Sequence, residues 1–98
     1  NLGRFEKIVG NFVKDLVINE YDFEFREFSC DFVKIAVGEI VIKISREINL
    51  PEKVEKVKAE VYITKGREEI RLSKTDIEDA YEIFGLIEDI KKWKEHGS

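Results

Sequence analysis

Residues 32–45, FVKIAVGEIVIKIS, fix the register of the sheet. Within them, Val37-Gly38-Glu39-Ile40 puts glycine at the first central position of a two-residue loop, the preference of a type II′ hairpin. Pairing outward matches Val37 with Ile40, Ile35 with Ile42 and Val33 with Ile44. Those six side chains then share one face, and Lys34, Ala36, Val41 and Lys43 share the other. This hairpin is preferred over a single long strand bulged at Gly38.

Upstream, the period is helical and then switches to two. Leu2, Phe5, Ile8, Val9, Phe12, Val13, Leu16 and Val17 recur at three- and four-residue steps, so residues 2–18 read as a helix with one apolar side. Gly10 weakens that helix by roughly 1 kcal/mol relative to alanine. After Asn19 and Glu20, Tyr21, Phe23 and Phe25 alternate with Asp22, Glu24 and Arg26, which reads as a half-buried strand. Ser29-Cys30-Asp31 is the expected turn.

Downstream, Leu50-Pro51 ends the sheet segment, because proline cannot serve a central ladder. Residues 48–55 read as a connection. Val57, Ala59, Val61 and Ile63 alternate with polar residues and lead into a second hairpin centred on Lys65-Gly66. Outward pairing there matches Val61 with Ile70, Ala59 with Leu72 and Glu60 with Arg71. Thr75-Asp76-Ile77-Glu78 fits a capping box, so a final helix is expected from Thr75 to Trp93. Ile77, Ala80, Tyr81, Phe84 and Ile87 form one stripe on it. Ile83, Leu86, Ile90 and Trp93 form a second, with seam-like spacing. The second stripe is read either as the seat of the first helix or as an oligomer interface. Substituting Leu86 and Ile90 by Glu separates the two: lost association with a retained fold marks a partner surface, and outright unfolding marks the core.

The expected fold class is α+β in a single domain spanning residues 1–98: an antiparallel sheet of four or five strands with the N- and C-terminal helices on one face. Its expected core is Phe5, Val9, Phe12 and Leu16 from the first helix, then Phe23, Phe25, Ile35, Val37, Ile40 and Ile42. Val61, Ile63, Ile70 and Leu72 follow from the second hairpin, and Ile77, Tyr81 and Phe84 from the last helix.

Composition narrows the function classes. The 39% of charged residues sum to a net charge of only −4, so no polybasic arm or acidic tail advertises a partner. Met and Gln are absent while Lys, Glu, Ile and Val abound, which resembles a hyperthermophile proteome. The missing initiator Met and the His96-Gly97-Ser98 ending suggest a processed chain carrying a cloning remnant. No run of apolar residues is long enough to span a membrane and no signal-peptide pattern opens the chain, so a cytoplasmic location is expected. One Cys (Cys30) and one His (His96) make neither a disulfide nor a metal site, and HExxH, GxSxG and phosphate-loop motifs are missing. No catalysis, cofactor or small-molecule substrate is expected.

The sheet face pointing away from the helices is the candidate site. Alternation places Arg26, Phe28, Lys34, Lys43, Lys58, Tyr62 and Arg71 there. Basic residues interleaved with aromatics suit single-stranded nucleic acid, because phosphates need positive charge and bases need flat groups to stack on. Glu24, Glu60 and Glu69 share the face and dilute its charge.

Two resemblances bear on this reading. A leading helix, the strand YDFEFREF (21–28), an antiparallel sheet and a strand running into a C-terminal helix (EIRLSKTDIEDAYEIFGLIEDI, 69–90) resemble the plan of the archaeal ThermoDBP group of single-stranded-DNA-binding proteins. The whirly-type DNA-binding fold is similar in its strand-to-helix ending. That likeness implies single-stranded DNA or RNA binding and association of subunits, as a homodimer, to shape a groove. REINLPEKV (46–54) followed by KGREEIRLSK (65–74) is similar to the second half of the α-crystallin domain of small heat-shock proteins, with Gly66-Arg67-Glu68 replacing its Gly-Val/Ile-Leu step. This second likeness implies a chaperone or protein-interaction module.

Overall fold

The hairpin at residues 32–45 forms in the expected register, with Val37 opposite Ile40, Ile35 opposite Ile42 and Val33 opposite Ile44. Its turn residue Gly38 has φ 64°, the left-handed region that a first central glycine supplies without strain. The structure is a computed structural model that describes residues 3–96. Its elements are α1 (Arg4–Ile18), β1 (Glu24–Phe28), β2 (Phe32–Val37), β3 (Ile40–Asn49), β4 (Val54–Lys65), β5 (Glu68–Ile77) and α2 (Ala80–His96). The strands form one antiparallel meander in the order β1-β2-β3-β4-β5. Leu2, expected on the first helix, and Gly97 and Ser98 of the chain's ending lie outside the described residues.

Both helices sit on the face carrying Val33, Ile35, Val37, Ile40, Ile42, Ile44, Val57, Ala59 and Val61, where they close one apolar core. Helix α1 contributes Phe5, Ile8, Phe12 and Leu16, all buried on one side. Each fully buried aliphatic or aromatic side chain of this set contributes roughly 1.5–3 kcal/mol of transfer free energy. Helix α2 contributes Ala80, Ile83 and Ile87. Tyr21 ties the loop after α1 to α2: its hydroxyl donates to Glu88 and its ring meets the edge of Phe84 at 5.6 Å.

The start of α1 has no cap of its own. Gly3 occupies the N-cap position in a left-handed conformation and offers no side-chain acceptor. A residue from the sheet fills the gap. Glu55 Oε1 accepts from the backbone N–H of Arg4 (2.9 Å) and of Phe5 (3.3 Å). Its other oxygen, Oε2, accepts from Arg46 Nη1 at 3.2 Å. Arg4 in turn reaches the carbonyls of Glu55 and Ile77, both at 3.4 Å.

Several local expectations are corrected. The final helix starts at Ala80 rather than Thr75, because Thr75 and Ile77 stay in β5 opposite Ala59 and Val57. The capping box is therefore Asp79-x-x-Glu82: Glu82 Oε2 accepts from the N–H of Glu78 and Asp79, and Asp79 Oδ1 accepts from the N–H of Tyr81. The connection at residues 48–55 shrinks to a four-residue turn, since β3 runs to Asn49 and β4 starts at Val54. In the second hairpin the loop is Gly66-Arg67, with Ile63 opposite Ile70 and Lys65 opposite Glu68. Gly66, with φ 65°, takes the same turn position as Gly38. Leu72 is an extra residue between the Tyr62–Arg71 and Val61–Ser73 pairs. Of the expected core, Phe25, Ile70 and Leu72 are each 44% exposed and Tyr81 is 76% exposed, while Ile83 is fully buried.

Removing the Glu55 carboxylate strips α1 of its cap and leaves Arg46 short of a partner in a half-buried position. Glu55→Ala is expected to lower the unfolding free energy by about 3–5 kcal/mol. Glu6→Ala removes only an exposed arm of the same Arg46 cluster and is expected to cost less than about 1 kcal/mol. Denaturant midpoints of the two variants check this contrast.

Candidate nucleic-acid interface

Strand pairing arranges the outer face in three rows across the sheet. One row runs Glu24, Ala36, Val41, Tyr62, Arg71. The next runs Glu27, Lys34, Lys43, Glu60, Lys74, and the third runs Phe32, Ser45, Lys58, Asp76. Lys34, Lys43, Lys58, Tyr62 and Arg71 thus share the face expected for them, and Arg26 joins them from a bulge in β1.

Phe28 does not. Arg26 is unpaired between the Phe25–Ile35 and Glu27–Lys34 pairs, and this extra residue shifts the parity of the strand. Phe28 then pairs with Val33, on the helix side, where its ring meets Phe25 at 5.6 Å. It stays 76% exposed at the end of β1. In its place the outer face holds Phe32, which alternates with Val33 and Ile35. The same period-two rule that located Lys34 locates Phe32. Lys74 also joins this face, because the Leu72 bulge moves it opposite Glu60.

Lys34 and Lys43 face each other across β2 and β3, and the two ammonium groups part. Lys34 Nζ turns over the Tyr62 ring (5.8 Å) and toward Glu69 (3.4 Å) and Glu27 (3.8 Å). Lys43 Nζ sits over the Phe32 ring at 4.9 Å. These long side chains lie along the sheet, which explains why Ala36 and Val41 are buried on a face that no helix covers.

Three further cations of the face each pair with a carboxylate. Arg26 pairs with Glu24 (3.5 Å), Lys58 with Glu47 (3.8 Å) and Arg71 with Glu60 (3.8 Å). Glu60 is the hub: it is buried, accepts from the Tyr62 hydroxyl and lies near Lys43, Lys74 and Arg71. The Tyr62 hydrogen bond and those three cations hold its carboxyl below the ordinary range, against the opposing effect of burial. The same hydrogen bond, with burial and the Glu60 charge, pushes the Tyr62 phenol up to about 12. The face is therefore a charge-balanced network rather than a basic patch.

Of the four residues expected at an oligomer interface, Ile83 belongs to the core and Leu86 and Ile90 pack partly against it. Trp93 is 61% exposed. Among the described residues no group of three or more His, Cys, Asp or Glu side chains could hold a metal ion, and no helix is long and apolar enough to cross a membrane. Cys30 is a free, exposed thiol in the β1–β2 turn.

Because the Tyr62 phenol is raised above its usual 10, its contribution to stability is complete below pH 10 and fades as pH climbs toward 12. A tyrosinate absorbance titration is expected to show one phenol ionising near 12, and Glu60→Gln is expected to bring it down. For Glu60, whose carboxyl is depressed, the contribution is present above the ordinary value of 4.5 and is lost as pH falls below it. Comparison of the chain with protein-family models, curated proteins and solved structures returned no match.

Proposed function

We propose that this domain binds single-stranded nucleic acid, without catalysis, on the outer face of its sheet. The observation that carries the reading is a pair of neighbouring lysine–aromatic stacks, Lys34 on Tyr62 and Lys43 on Phe32, on a face no helix covers. A base that displaces either ammonium finds a ring to stack on, and the displaced ammonium is within reach of the adjoining phosphate. Base–aromatic stacking of this kind contributes about 1–3 kcal/mol per base. Lys58, Arg71 and Arg26 extend the positive positions along the strand path.

The carboxylates set the terms of binding. A phosphate at Lys34 competes with Glu69 and Glu27, and one at Arg71 competes with Glu60. Binding is therefore weak for a nucleic-acid protein and moderately salt-dependent. Fluorescence anisotropy with labelled oligo-dT and oligo-U at two salt concentrations tests it. About three phosphate contacts give a slope near −2 in a plot of log affinity against log salt. Glu69→Gln frees Lys34 at an exposed position and is expected to tighten binding. Tyr62→Ala is expected to weaken it about fivefold or more. Absence of binding at low salt overturns the reading, and binding indifferent to salt removes the role given to the cations.

A protein-interaction role is the second reading. It draws on the exposed rings of Phe25 and Phe28 and on the uncovered Ile70, Leu72 and Trp93. Suppression of aggregation of a heat-denatured client protein supports it, and failure to suppress counts against it.

A further inference from the structure

We infer that the outer side of α2 and the neighbouring edge of β5 form a self-association surface, filled by a second copy of this chain whose α2 runs antiparallel. The surface is apolar where it need not be. Ile70, Leu72 and Trp93 are 44%, 44% and 61% exposed, and Ile90 lies only partly buried beside them. Ile70, Leu72 and Trp93 line a depression of about 480 Å³ between the end of α2 and the β4–β5 hairpin. It continues along α2 past Ile90 and Asp89.

Charge argues for a second copy and for its direction. Helix α2 is entered through acidic residues (Glu78, Asp79, Glu82); of the lysines in its last turns, Lys91 lies over the Tyr21 ring and Lys94 is held by Glu39, which leaves Lys92 as the basic residue offered to a partner. Two copies laid antiparallel bring acid to base at both ends of the contact, and their helix dipoles oppose favourably. A parallel pair would set like against like. β5 runs antiparallel to α2 at the same flank, so a two-fold axis perpendicular to the sheet treats both elements alike. Gly85, exposed with nothing within 4 Å of a Cβ built there, leaves room for close approach at mid-helix. The Leu72 bulge interrupts the β5 edge, so side chains rather than a continuous backbone ladder carry the contact.

The test uses the full chain. Sedimentation equilibrium over a range of concentrations is expected to show a mass rising from 11.5 kDa toward twice that value. Trp93 is the single tryptophan, so its emission reports on this surface alone and is expected to shift to the blue as mass rises. Trp93→Asp is expected to weaken association ~30-fold or more. Its circular dichroism should match the parent's, and its melting should approach the parent's at concentrations where the parent is monomeric, since the ring is 61% exposed in the monomer. Lys92→Glu, which places like charge against the acidic start of the second α2, is expected to weaken it as well. A monomeric mass at every concentration overturns the proposal. So does a dimer that forms without the emission shift or survives Trp93→Asp intact. None of these outcomes depends on nucleic-acid binding.

Discussion

A buried carboxylate at Glu55 joins the two ends of the fold. It sits at the start of β4, yet it caps a helix 51 residues earlier in the chain. The donors are the first free N–H groups of α1, where the helix dipole is positive, and the counter-charge is Arg46 from β3. A carboxylate with no water is tolerable only when its acceptor positions are filled. Glu55 meets that condition only when α1 is docked with its N-terminus over the β3–β4 hairpin. The direction of α1 on the sheet thus follows from one side chain. Arg4 extends the same junction to the end of β5, next to the point where the chain turns into α2.

Once α1 and α2 are seated, the inner face is closed over its centre and left partly open at its flanks. Phe25 and Phe28 on one side, and Ile70 and Leu72 on the other, carry inward-facing side chains that the helices do not cover. Both edge strands also carry a bulge, at Arg26 and at Leu72. Bulged edges resist open-ended strand pairing, so the exposed flanks favour closed, side-chain contacts over fibres. The outer face solves a different problem. It has no covering layer, and lysine stems and ion pairs shield its few apolar groups.

Legibility in the sequence followed the range of the interactions. The β2–β3 hairpin was readable because its glycine, its β-branched alternation and its register all lie within fourteen residues. The sheet-plus-two-helix layout was readable from period alone. Bulges were not, because nothing in YDFEFREF or EEIRLSK distinguishes a strand with an extra residue from a regular one. Hence parity alone puts Phe28 on the outer face and Lys74 on the inner one, the reverse of the bulged strands. Thr75-x-x-Glu78 fits the capping-box pattern as well as Asp79-x-x-Glu82, the one that forms. Only the demand of buried Val57 and Ala59 for strand partners separates them. Within the site, the lysines and Tyr62 were legible by parity. Their neutralisation by Glu27, Glu60 and Glu69 depends on cross-strand neighbours that only the full register reveals.

The claim that Glu55 fixes α1 is most directly tested by native-state hydrogen exchange of the Arg4 and Phe5 amides. First-turn amides of a helix ordinarily lack an intrahelical acceptor and exchange through local fraying. Here both donate to a buried carboxylate, so their protection is predicted to approach that of the core strands and to collapse in Glu55→Ala. Exchange of both amides at the fraying rate in the parent protein would contradict the account.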